Sequence, residues 1–406
     1  KKASLIHITI CNPTSMSVTK LQLRTALGPV YRDVLPNPPR DCTPDEIPVI
    51  DLSPLFSDQL SERQKVAAQI RKASVNTGFF YVKNHGIPAE TIAKCKEQGL
   101  NFMRQSVEQK NRISSRGHSQ HFNGYTGSAA TNISPTESID IRESFSFRYS
   151  PELDPDHPMD ISALPEDVRQ GIQGEDFVWE GTAHLPNFKE DCVAYWASCL
   201  TLARKLVRSF ALSLDLDERY WDDKVTHPGA DSVFNYYRPR TVQETKDEFV
   251  GLGSHTDLQL FTLLWQDNIG GLQILTKEGQ WIKVLTHTRN NPLANADVTK
   301  APPIEGTIVV NIGDYMMRLC NDIYISTVHR VANESPLERV SMPFFFGLNF
   351  NCVEGVVPSC VSESNPAKYE PISAGEWVQR RFKQERKAFD EKAVPSVAPS
   401  AVVIQG

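Results

Sequence analysis

The sequence predicts a mixed α/β protein that is mainly β, with helices packed before a β-sandwich or barrel. Seven short apolar or alternating runs, separated by turn residues, lie between residues 232 and 350. Helical spacing of apolar residues occurs upstream, at 61–77 and at about 186–214. Closely spaced short strands are typical of sandwiches and barrels, whereas a 3.6-residue period indicates amphipathic helices. The two patterns in this order therefore predict a helical region followed by a β unit.

Composition and charge narrow the function classes. The chain has 406 residues and a net charge of −6, which excludes a dedicated nucleic-acid binder. No run reaches the roughly 18 apolar residues that cross a bilayer, so we expect no membrane association. The segment 3–11 is too short and too interrupted for a secretory signal. Eight scattered cysteines without a Cys-x-x-Cys pair predict reduced thiols in a cytoplasmic protein.

Residues 1–45 are predicted to be an N-terminal extension that is either poorly ordered or draped over the body. They lack sustained periodicity and become Pro-rich toward their end, and Met16 leaves a natural start open. The short β-branched run from Ile47 to Asp51 predicts the first strand of the body. Residues 46–225 are then expected to form an N-terminal region of helices and strands that packs on the β unit.

The helices and strands of this region follow from apolar spacing. Residues 61–77 predict one helix, and the Gly-bounded run 78–86 predicts a strand. A second helix is expected to start at Pro88 and to continue to about Gln109. Residues 115–185 are rich in loop-forming residues and predict one strand, near 143–148. The last helix presents an apolar stripe, which comprises Trp196, Leu200, Ala203, Val207 and Phe210.

Residues 226–355 are predicted to be the β core, and residues 356–406 a C-terminal helix and tail. Ser373 and Glu376 have the spacing of a helix capping box. The helix that they open is highly charged and is expected to end near Lys387. The strands of the core are predicted at 232–237, 258–265, 271–275, 281–285, 307–311, 325–331 and 340–350.

The segment from Thr286 to Pro302 is polar, Asn-rich and longer than the median connection of about five residues. Two interpretations remain open. The segment is either a flap over an active site or translated intron sequence, since Ala294-Asn295 would be encoded by a common fungal branch-point hexamer. Sequencing the transcript separates the two, because only the flap interpretation requires the segment in the spliced message.

The motif His255-Thr-Asp257, followed later by His329, has the composition of a metal site. Side chains i and i+2 share one face of a strand, so we expect His255 and Asp257 to point together. Two imidazoles and one carboxylate form the facial triad of non-haem Fe(II) oxygenases, which leaves positions open for a co-substrate and dioxygen. A bare His-x-Asp also arises by chance in many chains, and a lone histidine is usually structural.

A second pair, Arg339 and Ser341, strengthens the metal hypothesis. It follows His329 by ten residues and again shares one strand face. Arginine offers a bidentate fork and serine a hydroxyl donor, which together suit a carboxylate. A 2-oxo acid would chelate the metal through its keto and first carboxylate oxygens and place its far carboxylate on Arg339.

These motifs and several others make the chain similar to the isopenicillin-N-synthase-like branch of the Fe(II)- and 2-oxoglutarate-dependent dioxygenases. The resemblance extends from about Ile47 to Phe350. It implies a double-stranded β-helix, or jelly-roll, with iron at its open mouth. The segments that carry it are Ile47–Asp51, Gly78–Ile87, Glu143–Phe147, Asn235–Tyr237, His255–Asp257, Gly270–Gln273, Asn311–Asp314, Ser326–Val331 and Arg339–Phe345.

The resemblance implies an iron site and a co-substrate site. His255, Asp257 and His329 would bind Fe(II). Arg339 and Ser341 would hold the distal carboxylate of 2-oxoglutarate.

The resemblance also implies that Asn235 and Tyr237 lie near the co-substrate. The implied reaction consumes 2-oxoglutarate and dioxygen to oxidise a C–H bond of a small-molecule substrate, by hydroxylation, desaturation or ring formation. A fungal member of this kind would serve secondary-metabolite biosynthesis.

Four further residues are candidates for contacts with the substrate. For each of them, a role in packing or as a surface charge fits the sequence at least as well as contact with the substrate. An arginine that enters the pocket would favour a substrate with a carboxylate. The four residues are Tyr125, Arg148, Arg240 and Phe346.

Two alternatives to the 2-oxoglutarate-dependent reaction remain open. The first is an oxidase of the isopenicillin N synthase kind, in which Arg339 and Ser341 bind the carboxylate of the substrate and no oxo acid is consumed. The second is a non-catalytic barrel that binds a ligand. Succinate release separates a dioxygenase from the oxidase. The change His255→Ala separates both enzymes from the barrel, because only the enzymes need bound iron.

Overall fold

Short strands dominate the computed structural model, which describes residues 17–241, 243, 250–284, 306–332 and 335–391. The strands are grouped into two large sheets and two small ribbons. In chain order they are β1 (Thr19–Thr25), β2 (Gly28–Val34), β3 (Arg40–Asp41), β4 (Val49–Asp51), β5 (Phe79–Lys83), β6 (Gly124–Thr126), β7 (Glu143–Phe147), β8 (Pro228–Tyr237), β9 (Leu252–His255), β10 (Phe261–Gln266), β11 (Leu272–Leu275), β12 (Trp281–Lys283), β13 (Thr307–Ile312), β14 (His329–Val331), β15 (Arg339–Asn349), β16 (Val353–Glu354) and β17 (Ile372–Ser373).

Most of the helices precede the β core, as the apolar spacing predicts. Within the described residues, no helix has both the length and the apolar character needed to cross a membrane. In chain order the helices are α1 (Leu60–Asn76), α2 (Ala89–Met103), α3 (Val107–Asn111), α4 (Ser115–His118), α5 (Glu166–Arg169), α6 (Phe177–Glu180), α7 (Phe188–Ser213), α8 (Asp314–Leu319) and α9 (Ala374–Glu391).

Two sheets form the β core, and both contribute to one cavity. The larger sheet has the strand order β4-β5-β13-β10-β15-β8-β7-β6, and the smaller has the order β3-β12-β11-β14-β9. Pairing is antiparallel except at β3 and β4, which lie at the sheet edges. Paired sheets built from antiparallel strands that are distant in sequence are the arrangement of a jelly-roll. The predicted double-stranded β-helix core with flanking helices is confirmed.

The largest hydrophobic cluster joins the helices to the larger sheet. The five predicted stripe residues of α7 are each at most 1% exposed. Trp196 donates from its indole nitrogen to the carbonyl of Ala230 at 3.0 Å, and the Phe210 ring lies 5.0 Å from that of Phe261 on β10. Burying one such large side chain contributes about 1.5–3 kcal/mol. The long helix therefore supports the sheet from which the functional side chains project.

A second hydrophobic cluster joins the two sheets to each other. Phe79 and Tyr81 of β5 and Val309 of β13 come from the larger sheet, while Ile274 of β11 and Ile282 of β12 come from the smaller. All five are nearly fully buried. Because apolar side chains of both sheets interdigitate here, the two walls of the cavity are held in a fixed relation.

Residues 17–45 are ordered and packed against the body, which agrees with the draped alternative and not with the poorly ordered one. Strands β1 and β2 form an antiparallel hairpin, and Leu21 and Leu23 are buried against a cluster that includes Trp281 of the smaller sheet. The apolar alternation in β1 is only two residues long, so it gives no sustained period in the sequence. The remainder of the predicted extension, residues 1–16, lies outside the described residues.

The second predicted helix does not continue to Gln109. Helix α2 ends at Met103, and Ser106 is the N-cap of α3. The Ser106 hydroxyl accepts from the backbone N–H of Gln109, and the Gln109 side chain accepts from the backbone N–H of Ser106, both at 3.2 Å. The two bonds of this capping box satisfy backbone N–H groups that are free at the start of a helix. The chain therefore begins a new helix at this position and does not continue α2.

The strands predicted for the core all form, with shifted ends, and β14 is shorter than the predicted run 325–331. Strand β9, which ends at His255, is not among the seven predicted core strands, because its four residues, Leu-Gly-Ser-His, show neither alternation nor a β-branched run. Only the motif from His255 to Asp257 was expected to lie on a strand. The predicted C-terminal helix is present as α9, and the Ser373 hydroxyl accepts from the backbone N–H of Glu376 at 3.0 Å. The segment 286–302 lies outside the described residues.

Candidate metal centre and cavity

Three buried side chains converge where β9 and β14 meet. His255 is the last residue of β9, His329 is the first of β14, and the two are direct partners in the ladder. One ligand atom from each of His255, Asp257 and His329 lies within 4.8 Å of the others. The Oδ1 atom of Asp257 is 3.7 Å from Nε2 of His255 and 3.6 Å from Nε2 of His329. These distances are too long for hydrogen bonds, so the three atoms face a common point without bonding to each other.

Asp257 reaches this cluster from a loop, and the prediction that it shares a strand face with His255 is wrong. Strand β9 ends at His255, and β10 begins only at Phe261. Two donors from the larger sheet hold the carboxylate instead. Thr262 on β10 donates to its Oδ2 at 2.5 Å and Asn311 on β13 donates to the same atom at 2.7 Å. The larger sheet therefore fixes this loop through Oδ2. The other oxygen, Oδ1, faces the point toward which both Nε2 atoms are directed.

Backbone carbonyls orient both imidazoles. Nδ1 of His255 lies 2.8 Å from the carbonyl oxygen of Gly253, and Nδ1 of His329 lies 3.1 Å from that of Thr327. Since a carbonyl only accepts, each Nδ1 carries the proton, and each Nε2 presents a lone pair to the common point. Such hydrogen bonds fix the tautomer and ring direction of histidines that bind metals.

The electrostatics favour the charge state that a divalent cation requires. Burial, together with the neighbouring His329, lowers the pKa of His255 to about 3, so its imidazole is neutral at neutral pH. Burial opposes ionisation of Asp257, but the two imidazoles and the bonds from Asn311 and Thr262 outweigh it and lower the pKa of this carboxyl. Two neutral nitrogens and one carboxylate, all buried, fit Fe(II) in a facial triad.

A buried cation lies on the wall of the cavity that the larger sheet forms. Arg339, the first residue of β15, is 0% exposed. Its guanidinium donates to the carbonyl of Gly270, to Oε1 of Gln266 at 2.8 Å and to the hydroxyl of Ser341 at 3.3 Å. All three acceptors are neutral, and no carboxylate among the described residues forms an ion pair with it. The nearby carboxyl group of Asp267 interacts electrostatically with Arg339 but accepts from the backbone N–H of Val340. A buried guanidinium without a direct ion pair fits the carboxylate of a ligand.

Asn235 and Tyr237 lie directly opposite this pair on the neighbouring strand. In the ladder of β8 and β15, Tyr237 is the partner of Arg339 and Asn235 is the partner of Ser341. The Tyr237 hydroxyl is buried, and no described residue hydrogen-bonds to it. Arg142 donates to Oδ1 of Asn235, which leaves the amide N–H groups of Asn235 to donate elsewhere. An orphaned phenol and an amide donor beside Arg339 fit an oxygen-rich anion such as 2-oxoglutarate.

A cavity of about 900 Å³ contains both groups of residues. Two of the four substrate candidates, Tyr125 and Arg148, line it. The Tyr125 hydroxyl is not open to a ligand, however, because it donates to Glu143 at 2.6 Å, and burial raises the pKa of this phenol. Glu143 in turn is paired with Lys110.

The other two substrate candidates, Arg240 and Phe346, are not among the residues that line the cavity. Alternation along β15 places Phe346 on the opposite face from Ser341, in the hydrophobic core, and Phe345 lines the cavity instead. Arg240 lies three residues beyond the end of β8, after the last strand residue that faces the cavity. Neither side chain therefore lines the cavity among the described residues, and contact of these two residues with a substrate stays a prediction.

Comparison with known proteins agrees with this geometry. Residues 47–167 match the family described as "non-haem dioxygenase in morphine synthesis N-terminal", and residues 228–348 match the "2OG-Fe(II) oxygenase superfamily". A protein of Metarhizium rileyi, the "2-oxoglutarate-Fe(II) type oxidoreductase ppzC", is 42% identical over 370 residues, which are 90% of this chain and 94% of that protein. Isopenicillin N synthase of Penicillium rubens is 29% identical over 345 residues, which cover 82% and 94% of the two chains.

Solved structures with the same fold are similar over most of the chain. The full-length Neurospora crassa T7H in complex with alpha-KG superimposes with a TM-score of 0.67 and 25% identity, covering 86% of this chain and 100% of that one. The same protein in complex with alpha-KG and thymine gives a TM-score of 0.66 and 26% identity, covering 84% and 99%.

Proposed function

The chain belongs to the 2-oxoglutarate–Fe(II) oxygenase superfamily, and from this membership we propose the residues that carry the reaction. As a member it is an oxidoreductase that uses Fe(II), 2-oxoglutarate and dioxygen. We assign His255, Asp257 and His329 as the iron ligands. The observation that supports this most directly is the convergence of their three ligand atoms, within 4.8 Å, in the cavity that the buried Arg339 also lines.

The co-substrate end of the cavity is assigned to the β8–β15 ladder. Arg339 and Ser341 bind the distal carboxylate of 2-oxoglutarate, because the guanidinium is buried, hydrogen-bonds to neutral acceptors and forms no direct ion pair within the described part of the chain. Tyr237 donates to the same ligand from a hydroxyl to which no described residue hydrogen-bonds, and the Asn235 amide donates from the position opposite Ser341. These groups fix the orientation of the oxo acid before dioxygen is consumed.

When bound, the iron supplies activation of dioxygen, coupled to oxidative decarboxylation of 2-oxoglutarate to succinate and carbon dioxide. The chain supplies position and exclusion of water. Thr262 and Asn311 keep one oxygen of Asp257 occupied, so that only the other faces the metal position. The 900 Å³ cavity presents a C–H bond of a small organic molecule to that position. Hydroxylation, desaturation or ring formation then follows from where the substrate carbon lies.

A role in secondary metabolism is part of the proposal. Support comes from the identity with a fungal 2-oxoglutarate-Fe(II) type oxidoreductase and from the likeness to a fungal isopenicillin N synthase over most of both chains.

Anaerobic reconstitution tests the assignments. We expect Fe(II) followed by 2-oxoglutarate to give a weak visible charge-transfer band in the wild-type protein. Asp257→Ala should abolish the band because it removes the only anionic ligand, and Arg339→Ala should weaken 2-oxoglutarate binding at least tenfold. His157→Ala, which changes an exposed histidine outside the cavity, is the matched control and should leave the band unchanged.

Three outcomes would contradict the proposal. Bound iron without a band on addition of 2-oxoglutarate would favour the oxidase alternative, in which Arg339 serves the substrate. Absence of iron binding in the wild-type protein would favour the non-catalytic barrel. A band that survives in Asp257→Ala would place the metal elsewhere in the chain.

A further inference from the structure

On the basis of the proposed function, we infer that a buried ion pair, Arg148 with Asp231, binds the substrate and that the substrate carries a zwitterionic α-amino acid group. Both residues line the cavity, and each side chain is 10% exposed. Arg148 follows β7 and Asp231 lies on β8, so the pair belongs to the larger sheet. An ion pair in a cavity wall presents both signs of charge to a ligand, whereas a lone arginine would present only one.

Each partner of the pair keeps one polar atom open. Arg148 donates from Nη1 to Oδ2 of Asp231 and from Nε to the carbonyl of His121. Oδ2 of Asp231 also accepts from Gln259 at 3.1 Å. No described residue hydrogen-bonds to Nη2 of Arg148 or to Oδ1 of Asp231. Since guanidinium only donates and carboxylate only accepts, the site takes a ligand with an acceptor and a donor side by side. The carboxylate and ammonium of an α-amino acid supply that combination, with charges of matching sign.

Gln259 holds the acidic half of this pair in place. Its amide lies between β8 and β15, where Gly229 and Gly347 leave room for it. A Cβ at these two positions would lie 2.5 Å and 2.0 Å from its Oε1. Any other residue at either glycine would therefore displace the amide that donates to Asp231. Because the carboxylate is already fixed in the free protein, less conformational entropy is lost when the ligand binds.

The ion pair and the co-substrate end lie in different directions from the metal position, one across the strands of the larger sheet and the other along β15. Asp231 is the ladder partner of Phe345, Phe345 is the partner of Thr262, and Thr262 bonds to Asp257. Asp231 thus lies two strand spacings, roughly 10 Å, from Thr262, which bonds to the metal ligand Asp257. Arg339 lies six residues before Phe345 on β15, which is roughly 20 Å along the strand. An amino acid held at Asp231 therefore extends its side chain toward the metal without competing with 2-oxoglutarate.

Aromatic rings cover the ion pair and limit what the rest of the substrate can be. Phe382 of α9 lies 5.2 Å from the guanidinium of Arg148, and its ring meets that of Phe122 edge-on at 5.1 Å. Phe122, Phe382 and Phe345 all line the cavity. The carbon skeleton of the amino acid is accordingly apolar where it meets these rings.

Calorimetric titration of the full chain, loaded anaerobically with Fe(II) and 2-oxoglutarate, tests the substrate class. The twenty proteinogenic L-amino acids are titrated singly, followed by the N-acetyl and decarboxylated forms of the tightest binder. We expect at least one amino acid to bind, and loss of either charge from the ligand to weaken binding at least tenfold. Asp231→Asn and Arg148→Gln should each weaken the same amino acid at least tenfold while the 2-oxoglutarate affinity changes less than twofold.

Asp154→Asn is the matched control, because it breaks a buried ion pair with Arg204 that does not line the cavity. It should lower the melting temperature and leave amino acid binding unchanged. If the cavity variants do not fold, the inference is tested by titrating the wild-type protein with the N-acetyl and decarboxylated forms of the amino acid.

Three results overturn the inference. They are no binding by any amino acid, equal binding of the decarboxylated amine, and equal binding by a folded Asp231→Asn protein. In each case intact iron and 2-oxoglutarate binding keeps the proposed function standing. Failure of iron or 2-oxoglutarate to bind would instead contradict the proposed function itself.

Discussion

Tyr237 carries a buried hydroxyl to which no described residue hydrogen-bonds, next to the guanidinium of Arg339 at 4.8 Å from its ring. An unpaired buried hydroxyl stabilises nothing in the free protein, whereas a bond from it to a charged ligand contributes about 1.5–3 kcal/mol. We therefore expect Tyr237→Phe to weaken 2-oxoglutarate binding roughly tenfold, about 1.4 kcal/mol, with no loss of stability. Anaerobic titration with 2-oxoglutarate and a melting curve measure the two effects.

The neighbouring tyrosine provides the control for this change. Tyr236 points to the other face of β8, and its hydroxyl donates to Glu338 at 3.1 Å. Tyr236→Phe should leave 2-oxoglutarate affinity unchanged. Equal weakening by both changes, or none by Tyr237→Phe, would remove Tyr237 from the co-substrate site.

Side chains joined by short sequence spacing were predictable, and side chains brought in from other strands were not. Arg339 and Ser341 were predictable because two residues of one strand share a face. Thr262 and Asn311, which fix Asp257, were not predicted, since each lies on a separate strand of the larger sheet. Asp231 was missed for the same reason, because only pairing of β8 with β15 brings it to the cavity. The signal available in sequence was the alternation that places residues 231, 233, 235 and 237 on one face.

At the scale of elements, one buried ion pair joins three parts of the chain. Arg204 of α7 donates to Asp154 with two bonds, at 2.7 and 2.8 Å, and to the carbonyl of Thr226 at 3.0 Å. It thereby attaches the loop after β7 and the start of β8 to the long helix. Burial opposes ionisation of Asp154, but the bonds and charge of Arg204 outweigh it and lower the pKa of this carboxyl.

This pair gives a pH-dependent prediction for Asp154→Asn. Because the pKa of Asp154 is lowered on folding, its contribution to stability is present above the ordinary carboxyl pKa of about 4 and is lost as the pH falls through the lowered value. Removing Asp154 leaves Arg204 with only the more exposed Asp156 as a counter-charge, so we expect a loss of up to about 3 kcal/mol at pH 7 and a smaller loss at pH 3. Urea unfolding at both pH values measures the difference. Asp58→Asn, an exposed change, should have little effect at either pH, and a pH-independent loss for Asp154→Asn would contradict the argument.

Elements were predictable where a period was sustained over several turns or residues. The stripe of α7 spans four turns and was predicted correctly, whereas the hairpin of β1 and β2 buries only Leu21 and Leu23 in its first strand. Strand β9 shows no period because a glycine and a serine occupy its centre. Such strands are selected by their partners: β9 forms because β14 offers it a ladder, which local sequence does not reveal.

At the scale of the whole molecule, the metal position lies between the two sheets. His255 and His329 belong to the smaller sheet, while Asp257 is held by Thr262 and Asn311 of the larger. A metal bound by all three residues would therefore connect both walls of the cavity. The unfolded chain would lose this connection, because the first ligand, His255, and the last, His329, are 74 residues apart in sequence.

Metal and co-substrate should accordingly stabilise the fold together. A ligand that binds only the folded state stabilises it by about 2.7 kcal/mol at one hundred times its dissociation constant. We expect Mn(II), as a redox-inert substitute for Fe(II), to raise the melting temperature by a few degrees and 2-oxoglutarate to raise it further only when metal is present. In Asp257→Ala the increments should vanish, because the larger sheet no longer contributes a ligand. In Arg339→Ala the metal increment should persist and the 2-oxoglutarate increment should shrink. Equal increments in the wild-type protein and in Asp257→Ala would mean that the metal binds outside the triad and does not connect the sheets.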